Sequence, residues 1–423
     1  MKLNLNPYKG MRDFYPEDQQ IFNYIFNNLK EVVELFGYKQ YNAPIIESEE
    51  LYLSKSSKEI IDHQTYSFID RGNRKVVIRP EMTPSVARMV AAKRKSLNYP
   101  LRWYSLPNLL RYERPQNSRF REHWQLNIDF FGEESVLAEI ELIKLVGYIF
   151  NKFKASTSDY TIRINSRKLI EFILNDLNIS KDNYFEIFRI IDKKDKIDLD
   201  TFREELKQFI DSPDKINTLN NFLSIKDINK IPDQFKNNDS YKKLTQILSS
   251  LKLTNLVLDT SIIRGFDYYT DIVFEVSDND PSNNRSIMGG GRYDHLIEQL
   301  GEDPLAIVGF GLGDSSFYNF LKSHNLLPKL TNHQTVGVLL IDDLYDQATL
   351  IFDKLRDNDI NTVVNFSNNK LGQKIKWALK ESLRYVLVVG ESELESNQIT
   401  FKDLLSSTQE KLTIDEIIAI INK

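Results

Sequence analysis

Apolar residues recur at helical spacing near the start of the chain. Ile21, Tyr24, Ile25, Leu29, Val32, Val33 and Leu35 fall on one face, which predicts a helix over 17–36 closed by Gly37. Tyr38 to Ile46 reads as a strand interrupted by Pro44, the mark of an edge or interface position. Val76-Val77-Ile78 predicts a short strand, and Pro84 to Ala92 a helix with proline in its first turn. Leu101 to Asp129 is dense in strand formers around a polar centre, with Asn117-Ser118 as the turn between two strands. Ser135 to Phe150 predicts a helix capped by Ser135.

The rhythm changes at about 166–252, which is helical, polar and lysine-rich, as in Lys193-Lys194-Asp195-Lys196. An inserted helical module is the simplest reading. Strand signals return at Leu256-Val257-Leu258 and continue through Ile263 to Val276, which reads as one buried strand with Ile272, Phe274 and Val276 on a shared face. Pro328 to Gln334 reads as a linker. Beyond it strands and helices alternate: Val336–Ile341, Gln347–Asn358, Asn361–Val364, Gly372–Ser382 and Tyr385–Val389. The expected organisation is therefore an α/β multidomain chain. Residues 1–165 and 253–327 form an antiparallel sheet flanked by helices, 166–252 a helical insertion, and 331–423 a mixed α/β domain.

Composition narrows the chemistry. At 423 residues the chain is too long for one ordinary core. It has no cysteine and 5 histidines, which excludes thiolate sites and makes a histidine-rich metal centre a poor reading. No segment approaches the length of a membrane span and the first residues lack an apolar signal core, so a cytoplasmic protein is expected. The net charge of -5 argues against bulk capture of nucleic acid but leaves room for a local basic groove.

Four stretches carry candidate chemistry. Arg264-Gly265-Phe266-Asp267-Tyr268-Tyr269 sets a cation beside a carboxylate and two phenols. Desolvating that arginine costs several kcal/mol unless it is paired or meets an anionic ligand, so it is a structural ion pair or an anion site. Arg79-Pro80-Glu81-Met82-Thr83-Pro84 puts a carboxylate and a hydroxyl at a strand-to-helix turn, where a plain helix cap is the bland alternative. Arg111 to Glu122 gathers four arginines and two glutamates; such a cluster suits a triphosphate, against a solvated hairpin with cross-strand pairs. Then Gln125, Asn127 and Asp129 alternate with Trp124, Leu126 and Ile128, so one strand face is polar. Gly289-Gly290-Gly291 and Gly309-Phe310-Gly311-Leu312-Gly313 are neither a P-loop nor a dinucleotide fingerprint; glycines spaced by two let a flat ring such as adenine lie on a strand, unless they are ordinary turns.

Taken in order, these segments resemble the histidyl-tRNA synthetase family of class II aminoacyl-tRNA synthetases. The likeness runs from Lys9-Gly10-Met11-Arg12-Asp13 through Arg79–Thr83, Arg111–Asp129 and Arg264–Tyr269 to Gly290-Gly291-Arg292-Tyr293-Asp294. The tail from about 331 resembles an anticodon-binding domain. The resemblance implies ATP-dependent attachment of L-histidine to tRNA(His) through an adenylate, with Mg²⁺, on a homodimer whose interface includes the first helix and the Pro44 stretch. It implies that Glu81, Thr83 and Gln125 hold the α-amino group, and that Asp129 and Tyr269 read the imidazole with Tyr268 nearby. It implies an ATP site of Arg111, Glu113, Arg119, Phe120, Gly311 and Gly313. Arg264 would bridge the histidine carboxylate and the α-phosphate, making Arg264 and Arg111 the catalytic cations. The metal ligands stay unassigned.

Three departures stand out. Class II enzymes usually carry Glu-Arg in the last motif, with the arginine on the phosphates; here Gly313-Asp314-Ser315-Ser316 stands there, so one phosphate contact has no owner. Ser118 replaces a usual glycine, and Asp129 is one methylene shorter than the usual glutamate. Two other classes compete: a non-catalytic regulatory subunit of ATP phosphoribosyltransferase and an amide ligase on the same fold. The first typically loses the arginine kept here as Arg264 and lacks a tail like 331–423. The second needs neither that tail nor the Tyr268-Tyr269 pair.

Overall fold

The computed structural model describes residues 3–53, 64–115, 119–265, 268–283, 286–328, 335–341 and 343–422. The expected turn at Asn117-Ser118, most of the linker, and Phe266 and Asp267 lie outside these residues. Two compact units result, Met1–Leu327 and Pro328–Lys423.

The described residues of the first unit form twelve strands: β1 Lys39–Gln40, β2 Ile46–Ser48, β3 Tyr66–Ile69, β4 Lys75–Ile78, β5 Leu101–Ser105, β6 Asn108–Leu110, β7 Glu122–Phe131, β8 Tyr160–Ser166, β9 Leu256–Leu258, β10 Ile272–Asp278, β11 Ser286–Arg292 and β12 Ile307–Gly313. Nine form one sheet in the order β1-β5-β7-β12-β11-β10-β8-β9, with β6 on β7; β2-β4-β3 form a separate small sheet. Pairing is antiparallel apart from β1 with β5 and β8 with β9. Register separates the two faces of the large sheet. Tyr104, Ile128, Phe310, Gly290, Phe274 and Ile164 sit side by side, and all but the glycine enter the main core. One residue along, the row reads Ser105, Asn127, Gly311, Gly289, Glu275 and Arg163. A side-chain period of two thus turns alternating sequence into an apolar face and a polar face.

The first helix, Pro16–Leu35, buries Ile25, Phe26, Leu29, Val32 and Val33, and Gly37 at φ 78° ends it as expected. The Tyr38–Ile46 stretch divides into β1 and β2, which join different sheets on either side of Pro44. The helix expected from Ser135 begins at Leu137 behind Val136 and runs to Lys152; the Ser135 hydroxyl accepts from the N–H of Leu137 at 3.4 Å and donates to Glu133 at 2.6 Å. Residues 167–251 are helical, yet Leu169, Ile170, Leu244 and Ile247 join the same core as the sheet.

The largest revision concerns Ile263–Val276. Only Ile272 onward is strand; Arg264 sits in a loop before it, with φ 66°. A left-handed arginine is uncommon and persists only where its surroundings fix it.

The second unit has a five-stranded sheet in which Asn361–Asn365, Thr335–Leu340 and Tyr385–Val389 are parallel, extended by the antiparallel pair Ile399–Asp403 and Thr408–Leu412. Val338 and Leu387 pack on one face with Phe352, and Leu339 and Val386 on the other with Ala378, so it has its own core.

Candidate active site

The polar face of the large sheet floors two adjoining cavities of about 200 and about 120 Å³, which share Arg111, Gln125, Arg264, Gly289 and Gly311. The larger also meets Glu113, Arg119, Phe120, His123 and Gly313. The smaller takes Glu81, Thr83, Asp129, Tyr268 and Tyr269. Residues as far apart as Glu81 and Gly313, 232 positions, are thereby gathered in one cleft, and every residue assigned above to histidine or ATP lines it.

Glu81 and Thr83 come from the turn between β4 and the helix Thr83–Lys93. That helix is preceded by Met82 and has no side-chain cap, so the bland reading of this turn does not hold. Glu81 is buried and its carboxylate accepts from the Tyr268 hydroxyl at 3.3 Å. Arg79 beside it is a structural bolt, donating to the carbonyls of Ala43 and Asn108. Arg111 donates Nε to the carbonyl of Pro80 at 2.8 Å, which aims its other donors at the cleft. Arg119 pairs with Glu113 at the mouth. Burial, then the charges of Arg111, Arg12 and Arg119, push the His123 imidazole down to about 3, so it is neutral at physiological pH.

Asp129 marks the far end. Tyr293 donates to one carboxylate oxygen at 2.5 Å and Tyr41 to the other at 3.3 Å. Burial pushes this carboxyl up to about 6, although both hydroxyls pull the other way. Tyr293 belongs to the Gly290–Asp294 motif but was given no role from the sequence, and Tyr41 did not stand out, because a phenol in a strand or turn reads as core.

Arg264 answers both alternatives posed for it. Its Nη1 donates to Glu275 at 2.5 Å and to Ser286 at 3.3 Å, so it is an ion pair; it also forms a wall of both cavities, so it faces any anion bound there. Glu275 is shared with Arg163. Burial alone would raise the Glu275 carboxyl, but the two guanidiniums hold it below its ordinary value. Glu275 was legible by the same alternation that puts Phe274 in the core.

The glycines make room for these side chains. A Cβ at Gly289 would collide with the Arg264 guanidinium, one at Gly311 with the Gln125 amide, and one at Gly309 with the Tyr293 hydroxyl. Arg292, in the same motif, points away from the cleft and clamps Glu139 with two bonds of 2.6 and 2.7 Å.

A glycine-paved, largely antiparallel sheet walled by arginines, with a separate mixed α/β unit, is the fold of a class II aminoacyl-tRNA synthetase. Residues 10–313 match the family model for histidyl-tRNA synthetase and 334–423 that for an anticodon-binding domain. A histidine–tRNA ligase of Leptospira biflexa is 41% identical over 429 residues, covering 100% of this chain and 98% of the relative. A chloroplastic/mitochondrial histidine–tRNA ligase of Arabidopsis thaliana is 36% identical, covering 98% and 86%. The solved histidyl-tRNA synthetase of Nostoc sp. PCC 7120 superposes with a TM-score of 0.83 over 100% of this chain and 99% of that one, at 23% identity. The chain belongs to the histidyl-tRNA synthetase family.

Proposed function

We propose that this chain activates L-histidine with ATP and transfers the histidyl group to tRNA(His). The observation that carries the site assignment is Arg264, held by Glu275 on a glycine floor between the two cavities. The smaller cavity takes histidine. Glu81, Thr83 and Gln125 hold its ammonium, while Asp129, with Tyr268 and Tyr269, reads the imidazole. The larger takes ATP, with Glu113 and Phe120 at the adenine, Arg119 at the outer phosphates, and Gly311 and Gly313 as floor. Arg264 and Arg111 meet at the junction, where the histidine carboxylate attacks the α-phosphorus.

That attack joins two anions, so catalysis is alignment and neutralisation by fixed guanidiniums. Diphosphate leaves, and the terminal ribose 3′-hydroxyl of the tRNA then takes the acyl group from the adenylate. Mg²⁺ bound with ATP would supply charge neutralisation at the phosphates. It usually keeps several waters and takes one or two carboxylates besides phosphate. The carboxylates at this cavity, Glu113 and Asp314, are each already paired with an arginine, and no cluster of three metal-ligating side chains occurs among the described residues, so the metal ligands stay unassigned.

Residues 1–165 and 253–327 act as the catalytic domain, 166–252 as a module facing the acceptor arm, and 331–423 as the anticodon-binding domain. The chain works in the cytoplasm as a homodimer. Half-exposed Ile45, Ile46 and Phe68 near the small sheet, and exposed Leu35 and Ile69, support an interface there, and no described helix is long and apolar enough to cross a membrane.

The test is ATP–pyrophosphate exchange with each amino acid in turn. Exchange is expected with histidine alone, and its absence sinks the proposal in favour of the regulatory reading. Arg264→Ala should abolish exchange with the fold retained; near-normal exchange would remove Arg264 from its assigned role.

A further inference from the structure

Gly313-Asp314-Ser315-Ser316 carries no arginine where a class II last motif is expected to have one, yet tertiary structure brings another arginine there. Arg12, from the segment before the first helix, donates Nη2 to Asp314 at 2.5 Å across 302 positions of sequence. Asp314 opens the helix Asp314–Ser323 and also accepts from the backbone N–H of Trp124 at 3.3 Å, so its carboxylate is fixed from two sides. The Arg12 guanidinium lies 4.2 Å from the centre of the Phe120 ring. Phe120 and Asp314 line both the nucleotide cavity and a neighbouring one of about 290 Å³ that contains Arg12. Arg12 lines the neighbouring cavity and touches the wall of the nucleotide cavity through Asp314 and Phe120. Its charge reaches inside, since it contributes to keeping His123 neutral. Its Nε is buried without a hydrogen-bond partner among the described residues.

We propose that Arg12 joins Arg119 on the outer phosphates of ATP, in place of a last-motif arginine, with Asp314 as its positioning residue. A guanidinium has five donors in a rigid fork. Asp314 takes one edge and the Phe120 ring fixes the plane, which leaves donors for a phosphate oxygen. The inference rests on the function proposed above.

The experiment is ATP–pyrophosphate exchange on the full chain with wild type, Arg12→Ala, Arg12→Lys and Arg12→Ala/Ser316→Arg. Ser316 lines the nucleotide cavity, so an arginine there reaches the phosphates from the usual side. Arg12→Ala should raise the KM for ATP and for pyrophosphate about ten- to a hundred-fold, the loss of a charge-assisted contact, with the KM for histidine unchanged. Arg12→Lys should fall between, and Ser316→Arg should restore most of the loss. An unchanged KM for ATP in Arg12→Ala overturns the proposal. So does a loss spread over ATP and histidine alike, with a lowered unfolding midpoint that Ser316→Arg does not repair; Arg12–Asp314 is then a structural clasp only. Wild-type exchange with histidine separates the two levels: its absence sinks the functional reading, while its presence beside an indifferent Arg12→Ala sinks this inference alone.

Discussion

Asp129 shows how one buried carboxylate couples recognition to stability. Its pKa in the folded chain is about 6, against an ordinary value of 3.8, so the folded state binds a proton that the unfolded state does not in that window. The sign follows: burying the charge costs stability above about pH 6, and the cost is relieved as pH falls toward 3.8. Asp129→Asn should therefore unfold at higher denaturant than wild type at pH 7.5, with the gap closing toward pH 4.5. A gap independent of pH would mean that Asp129 is not the titrating group. The same variant should lose histidine-dependent exchange, because a neutral amide lacks the carboxylate charge that attracts an imidazole N–H. Asp129 was legible from the alternation of its strand. Its pairing with Tyr41 and Tyr293 was not, because they arrive from other elements and a phenol's partner is not written in its local sequence.

Among elements, β11 and β12 do the most to shape the cleft. Paired across the register, Gly289 lies opposite Gly311 and Gly291 opposite Gly309, which leaves a strip of bare backbone in the middle of the sheet. Side chains from β7 and from the Arg264 loop fold down into that strip. Gly289→Ala, allowed by strand backbone, should displace the Arg264 guanidinium and lower kcat for exchange by about a hundred-fold, the usual penalty for misplacing a catalytic group by about an ångström. Circular dichroism and the unfolding midpoint should change little. An unaltered kcat would show that Arg264 tolerates the shift. Sequence suggested a flat ligand on these glycines because spacing by two reports only that a face is bare, whereas what covers it depends on which strands lie alongside.

For the whole molecule, each unit closes its own core, and the first leaves apolar positions uncovered near the Pro44 stretch. A homodimer predicts a native mass twice the 49.5 kDa of the chain in sedimentation at micromolar concentration, and Ile46→Lys should shift it toward the monomer. A monomeric wild type would refute that interface. Sequence by itself determined the helices and strands with strong periodicity and the division near residue 328, because local spacing sets which face a side chain takes; the residues assigned to the cleft were named by the resemblance of their motifs. Ion pairs such as Arg12 with Asp314 and Arg264 with Glu275, the left-handed turn at Arg264, and the joining of residues 167–251 to the sheet's core were decided only by tertiary structure. Each depends on which distant elements are packed together, and the energy that holds Arg264 in an unfavourable backbone region comes from partners that local sequence does not specify.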